Sequence, residues 1–171
     1  MSPSEATSPA ARHAPAGPPG PPGATGLPAP RSIAQRRADT ERLLAEERHL
    51  WLASEGPRPH VVPLSYVFDG GVITMLTRRS GRTGRNLAAD ARVRAAFGSA
   101  TDVVLIDGTV ELTDPADAPA PVRARHARLP LDPGRVPDTV SVCLTPRRVQ
   151  AWRNFGEMRD RVIMNDGVWL G

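Results

Sequence analysis

The spacing of hydrophobic positions is helical near the start of the chain and alternating or β-branched further on. Ser32 and Gln35 have the spacing of a capping box, and helix-forming Ala, Arg, Glu and Leu continue to Glu47. This pattern predicts a first helix over residues 33–47. Two shorter helices are predicted near 83–90 and 121–128.

Stretches rich in β-formers, bounded by Gly, Pro, Asn and Asp, predict strands in the rest of the chain. Asp69-Gly70-Gly71 and Asn165-Asp166-Gly167 have the composition of hairpin turns. Antiparallel strands with short helices at their crossovers predict a small β-barrel, a mostly β fold with helical additions. The predicted strands cover residues 49–54, 60–68, 72–77, 92–98, 102–112 and 139–152, the last bent near Pro146, and a closing hairpin covers 161–170.

Composition separates an N-terminal tail from this predicted domain. Residues 1–30 contain nine Pro, seven Ala and four Gly, which cannot build a packed core. We expect a disordered arm, partly in polyproline II conformation, followed by one domain over residues 31–171. The tail has no formal net charge, so the domain carries the whole charge of +4.

Several classes of function are excluded by residues that the chain lacks. All 22 basic charges are arginine, which excludes a P-loop lysine and a Schiff-base lysine. Cys143 is the one cysteine, and the four histidines show no metal-ligand spacing, so we predict no disulfide and no metal site. No hydrolase motif is present and we predict no catalytic side chain. His60, on a predicted strand, is interpreted as a packed or surface histidine.

No apolar run approaches the length of a membrane span, the longest being residues 103–106. The first residues also lack the basic start and apolar segment of a secretory signal. We therefore expect a protein of the cytoplasm that does not enter a membrane.

The segment from Thr77 to Arg94 is the strongest candidate for a binding site, because it holds six arginines against one acid, Asp90. It leaves a strand, passes a glycine and opens a helix, so free N–H groups, guanidinium groups and the hydroxyls of Thr77, Ser80 and Thr83 suit a phosphate. A solvated connection that only keeps the chain soluble remains an equal alternative. Nucleic-acid binding is disfavoured because aromatic residues are few. The six arginines are Arg78, Arg79, Arg82, Arg85, Arg92 and Arg94.

The order of several short segments resembles the pyridoxamine 5′-phosphate oxidase-like superfamily, the split-barrel flavin and deazaflavin oxidoreductases. The resemblance covers residues 40–113, and the stretch from Trp152 to Leu170 is similar to the closing segment of some members. It is carried by HLWLAS at 49–54, GPRPHVVPL at 56–64, DGGVI at 69–73, RNLAADARV at 85–93 and DGTVEL at 107–112.

The resemblance implies a split β-barrel that forms a homodimer with two FMN sites at the subunit interface. It implies that the strand after the Arg-Pro turn lies along the flavin ring, here Val61, Val62 and Pro63. Backbone N–H groups along this stretch would hydrogen-bond the ring. Trp152 is expected either to cap the flavin from the partner subunit or to pack in the dimer core. The implied phosphate ligands are Thr77, Arg78, Ser80, Arg82, Thr83 and Asn86.

Two departures from the family pattern narrow the expected activity. Thr83 stands where many relatives have a lysine, which leaves Arg82 to supply the charge. The chain also lacks the C-terminal pattern of arginines and histidine that binds pyridoxamine phosphate in the true oxidases, so we do not expect that substrate.

The resemblance therefore implies an FMN-dependent oxidoreductase acting on a small organic substrate. One alternative is an F420-dependent reductase on the same fold, whose acidic cofactor tail would suit Arg78, Arg79, Arg82 and Arg85. A second alternative is a flavin-binding protein without catalytic turnover.

Overall fold

The computed structural model describes residues 29–171. The predicted tail over residues 1–30 lies outside the described residues, apart from its last two positions. The helices are α1 (Ile33–Glu46), α2 (Arg82–Ala89), α3 (Ala120–His126) and α4 (Phe155–Met158). The strands are β1 (His49–Ser54), β2 (His60–Asp69), β3 (Val72–Arg78), β4 (Arg92–Ser99), β5 (Asp102–Thr113), β6 (Thr139–Trp152), β7 (Val162–Asn165) and β8 (Val168–Trp169).

Six of the strands close into an antiparallel barrel. They are hydrogen-bonded in the order β3-β2-β1-β4-β5-β6, and an additional β3–β6 pairing joins the two ends of this series. β7 and β8 extend the sheet beyond β6. This architecture confirms the predicted fold, a mostly β split barrel with short helices.

Local sequence features explain where the chain turns and bends. Gly70 and Gly71 form a two-residue hairpin loop between β2 and β3, and both have positive φ values, 60° and 77°, that side chains disfavour. In β6 the register against β5 shifts between Arg148 and Pro146, so Arg147 forms a bulge. The predicted bend near Pro146 is thus confirmed.

The helix predicted over residues 33–47 is also confirmed, and its first turn is capped as expected. The Ser32 side chain accepts a hydrogen bond from the Gln35 N–H at 3.1 Å. α1 covers one end of the barrel, where the Tyr66 hydroxyl donates to the Leu44 carbonyl at 3.0 Å. The sequence did not predict α4, which has only four residues.

The barrel interior is filled by inward-facing aliphatic side chains of β1, β3, β5 and β6. Tyr66 meets Phe97 edge to face, with ring centroids 5.3 Å apart. Among residues 29–171, no helix has the length and hydrophobicity that crossing a membrane requires. Interior side chains with at most 1% exposure include Leu50, Leu52, Ile73, Met75, Ile106, Val140, Val142 and Leu144.

Candidate functional site

The barrel is open along the first half of β2. β2 pairs with β3 only from Tyr66 to Asp69, whereas residues 60–65 pair with β1 alone. β3 pairs with β6 on its other side along residues 73–78, and its last three residues, 76–78, have no partner on β2. The two strands therefore diverge, and one backbone edge of β2 faces a gap.

The register shows which backbone groups face this gap. The Tyr66 N–H donates to the Arg48 carbonyl on the β1 side at 3.1 Å. Because neighbouring strand residues alternate in direction, Val62 also faces β1, and Val61, Pro63 and Ser65 face the gap. Proline has no N–H, so the donors along this edge belong to Val61 and Ser65. Of the residues 61–63 predicted to supply backbone donors, only Val61 thus presents an N–H to the gap, and Ser65 presents a second one.

An apolar cavity of about 350 Å³ occupies the gap. Its walls are Pro63, Leu64 and Ser65 of β2 and Leu76 of β3, and residues 129–131 of the α3–β6 connection close it. No ionisable side chain lines this cavity. It therefore offers a largely apolar surface on which a ring could lie.

The α3–β6 connection is anchored beside this cavity by a buried pair. His126 Nε2 lies 2.8 Å from the hydroxyl of Ser141, which is fully buried in β6. Burial, together with the neighbouring Arg125, lowers the pKa of His126. The neutral ring is thus favoured, and it fixes the end of α3 against the barrel.

A second cavity, of about 250 Å³, has a strongly basic wall. It lies between the β1–β2 turn, which contributes Pro57 and Arg58, and helix α2, which contributes Arg82, Arg85 and Asn86. No carboxylate lines it, and none of its three arginines forms an ion pair with any residue that the structure describes. Arg85 donates to the Ser80 carbonyl, but none of the three guanidinium charges is balanced by a carboxylate, and this favours an anionic ligand.

The start of α2 adds backbone donors close to this basic wall. The first hydrogen bond of the helix runs from the Arg85 N–H to the Gly81 carbonyl at 3.0 Å. The N–H groups of Arg82, Thr83 and Gly84 have no acceptor among residues 29–171. Free N–H groups at a helix start add to the attraction for an anion.

Asn86 holds the β1–β2 turn in place against α2. Its side-chain amide donates to the Ser54 hydroxyl at 3.2 Å, and it is 8% exposed. A Cβ on Gly56 would lie 2.7 Å from the Asn86 side chain, so the turn needs glycine at this close approach. Asn86 therefore positions the turn that carries Arg58 and also lines the cavity.

Two other predicted phosphate ligands already have partners within the chain. The Thr83 hydroxyl lies 2.9 Å from Nε2 of His60, which places His60 beside the start of α2. Ser80 donates to the carboxylate of Asp138, through its N–H at 2.9 Å and through its hydroxyl. Thr77 and Arg78, at the end of β3, pair with Val140 and Thr139 of β6.

The arginine-rich segment does not act as one basic surface. Arg92 pairs with Asp90 at 2.6 Å, and this contact lowers the pKa of Asp90 to about 2. Arg94 pairs with Asp107 of the neighbouring strand at 2.6 Å, and Arg79 lies 3.7 Å from Asp114. The segment thus leaves Arg78, Arg82 and Arg85 without a carboxylate partner in the described part of the chain.

The outer face of β1 and β2 carries exposed apolar side chains. Trp51 is 56% exposed and Val61 59%, and Pro63 lies directly opposite Trp51. Trp152, at the end of β6, pairs with Val103 of β5 and lines neither of the two cavities.

The residues fit a phosphorylated flavin in two respects. The basic cavity offers arginines without carboxylate partners and helix N–H groups for a phosphate, and the gap offers an apolar space with backbone donors for a ring.

Four residues near these cavities were not predicted as site residues from the sequence: Arg58, Ser65, His60 and Asp138. Only Arg58 had a local signal, its place in the Arg-Pro turn. Within residues 29–171, no group of three His, Cys, Asp or Glu side chains is placed to hold a metal.

The chain belongs to the pyridoxamine 5′-phosphate oxidase family. The sequence model of that family matches residues 37–153, more than half of the chain. A search of curated protein sequences finds no significant match.

Solved structures with the same fold share little sequence with this chain. A putative pyridoxamine 5′-phosphate oxidase from Listeria innocua is 15% identical, with a TM-score of 0.56 over 68% of this chain and 98% of the other. An F420 reductase is 22% identical, with a TM-score of 0.52 over 64% and 94%. A heme-binding protein from Mycobacterium smegmatis is 21% identical, with a TM-score of 0.59 over 80% and 59%. These similarities show the fold.

Proposed function

We propose that this protein is an FMN-dependent oxidoreductase that acts on a small organic substrate. The observation that carries the proposal is the basic cavity lined by Arg58, Arg82 and Arg85, which lies beside the open edge of β2. The family match supports a flavin-type cofactor at this position. The proposal includes one cofactor-binding domain over residues 31–171 and a cytoplasmic setting, in which the free Cys143 would stay reduced.

In this proposal each part of the site has a separate task. Arg82, Arg58 and the N–H groups at the start of α2 bind the phosphate, with Thr77, Arg78, Ser80, Thr83 and Asn86 as the other phosphate-side residues. The N–H groups of Val61 and Ser65 donate to the polar edge of the ring, and Pro63 and Leu76 exclude water from it. When bound, a flavin supplies hydride or electron transfer, so the protein needs no catalytic acid or base of its own.

We further propose a homodimer with the cofactor at the subunit interface. The exposed patch of Trp51, Val61 and Pro63 supports an interface on this face, because large apolar side chains in contact with water favour burial. Trp152 lines neither cavity of its own chain, which supports a role in covering the partner's cofactor.

A second candidate is an F420-dependent reductase on the same site. Four guanidinium groups around α2, those of Arg58, Arg78, Arg82 and Arg85, have no carboxylate partner in residues 29–171. Four positive charges exceed the number that one phosphate would balance, and they would suit a cofactor with several negative charges. A flavin-binding protein without turnover is the outcome if the cofactor binds tightly and no substrate reoxidises or reduces it.

The test is a titration of the purified protein with FMN and with F420, followed by absorbance and fluorescence. We expect saturation at one FMN per subunit and a dimer in sedimentation. Arg82→Ala/Thr83→Ala should weaken FMN binding about 100-fold, because two phosphate contacts, one of them charge-assisted, are lost. Arg92→Ala, in the carboxylate-paired part of the same segment, is the control and should bind FMN normally. Failure to bind either cofactor, or an unaffected double variant, would contradict the proposal.

A further inference from the structure

Asp138 places a negative charge on the loop that is proposed to hold the phosphate. Asp138 directly precedes β6, and its φ of 62° lies in the left-handed region that non-glycine residues rarely adopt. Its carbonyl accepts from the Arg79 N–H at 2.7 Å. Its carboxylate accepts from both donors of Ser80, the N–H at 2.9 Å and the hydroxyl. The chain itself thus provides an anion for donors that sequence analysis predicted for a phosphate.

The surroundings of Asp138 keep this carboxylate ionised. The hydrogen bonds from Ser80 are the largest cause, and the nearby positive charges of Arg79 and Arg78 add to them, so that the pKa of Asp138 lies below its usual value. The group is exposed, so solvent screens its charge but does not remove it.

We propose that Asp138 is an internal anion that competes with the cofactor's phosphate for Ser80 and the adjacent arginines. It thereby limits the affinity of the site for doubly charged terminal phosphates. This inference rests on the proposed function, in which this loop binds a phosphorylated cofactor.

Both donors of Ser80 are already used by Asp138, so a phosphate that contacts Ser80 has to displace the carboxylate or share its donors. Repulsion between the two anions grows with the charge of the ligand. A terminal phosphate carries about −1.5 to −2 charges at neutral pH, whereas a phosphodiester carries one. Asp138 therefore acts as a specificity-determining residue that disfavours the doubly charged ligand more strongly.

The alternative is that Asp138 only holds the loop in its binding shape, and it predicts the opposite sign. In Asp138→Asn the side-chain oxygen can still accept from Ser80, but the charge is gone. Competition predicts that this variant binds FMN about threefold to fivefold more tightly, as expected for the removal of one exposed charge. Riboflavin, which lacks the phosphate, should bind to both proteins equally.

Asp114→Asn is the matched control, because Asp114 lies 3.7 Å from Arg79 and has no contact with Ser80. Its gain in FMN affinity should be less than half that of Asp138→Asn. In a Ser80→Ala background the effect of Asp138→Asn should shrink, because the shared donors are reduced to one. Weaker FMN binding by Asp138→Asn, or an equal gain for riboflavin, would overturn the inference.

Inorganic phosphate separates this inference from the proposed function. If the wild-type protein binds neither FMN nor F420, the proposed function fails, and phosphate titrations by calorimetry then decide the role of Asp138. Tighter phosphate binding by Asp138→Asn would support competition at the loop, and unchanged phosphate binding would refute it.

Discussion

Two groups of arginines in residues 29–171 differ in whether a carboxylate lies opposite their charge. The free group, Arg58, Arg82 and Arg85, lines a cavity and forms no ion pair with residues 29–171. The paired group is Arg31, Arg92 and Arg94, and each member contacts a carboxylate at 2.6 to 2.8 Å. The same residue type is thus available for the proposed ligand binding in one region and forms ion pairs within the fold in the other, and nearby carboxylates make the difference.

We expect the largest effect on stability from a change to Glu157, the buried carboxylate that pairs with Arg31. Glu157 is 1% exposed and accepts from the Arg31 guanidinium and from the backbone N–H groups of Arg31 and Arg153. Glu157→Gln should lower the free energy of unfolding by about 2 kcal/mol, because the amide nitrogen that replaces one carboxylate oxygen cannot accept, so that two donors lose their acceptor. Asp39, 2.8 Å from Arg31, still balances the charge of that guanidinium. Urea denaturation measures the loss.

Glu55→Gln is the control for that variant, because Glu55 is an exposed partner of Arg92 at 3.5 Å. It should leave the urea midpoint unchanged. FMN affinity should be the same in Glu157→Gln and the wild type. A stable Glu157→Gln protein with impaired FMN binding would show that the two groups of arginines are not separate in function.

Acid should weaken the same contact in a defined pH window. The hydrogen bonds from Arg31 lower the pKa of Glu157 from 4.5 to about 2 in the folded protein. A carboxyl with a lowered folded pKa contributes its full stability above the unfolded value, and it loses this contribution as pH falls from about 4.5 towards 2. The free energy of unfolding of the wild type should therefore decline more steeply across this window than that of Glu157→Gln. Parallel curves would contradict the assignment.

The smallest expected effect is a change in FMN affinity, which we compare between one arginine of the free group and one of the paired group. Arg58→Ala should weaken FMN binding about tenfold, as expected for one lost charge-assisted hydrogen bond to a phosphate. Arg94→Ala should leave it unchanged, since Asp107 already balances that charge. Fluorescence titration measures both, and equal losses in the two variants would mean that overall positive charge governs binding.

Most of the fold was predictable because its determinants are local. The capping pair Ser32 and Gln35 marks the start of α1, and Gly70-Gly71 marks the β2–β3 hairpin. Alternation and β-branched residues marked the barrel strands to within a residue or two. Helix α4 was not predicted, because its four residues are too few to show a period and its Phe155 is 83% exposed.

The candidate site was predictable only in outline, because its charge balance depends on residues distant in sequence. The local count of six arginines against one acid did not include Asp107, which the β4–β5 register places opposite Arg94. It also did not include Asp138, which lies 58 residues from Ser80. The assignment of individual phosphate ligands remains a prediction.

Closure of the barrel links the site to the folding reaction. β4 and β5 lie between β3 and β6 in the chain, so the β3–β6 pairing is among the least local contacts of the fold. It forms only after the long segment between the two strands has lost conformational freedom. The loop with Ser80 follows β3, and Asp138 immediately precedes β6. The proposed phosphate-binding loop therefore acquires its shape only in chains that have closed the barrel, and an anion bound there would stabilise the fully folded population.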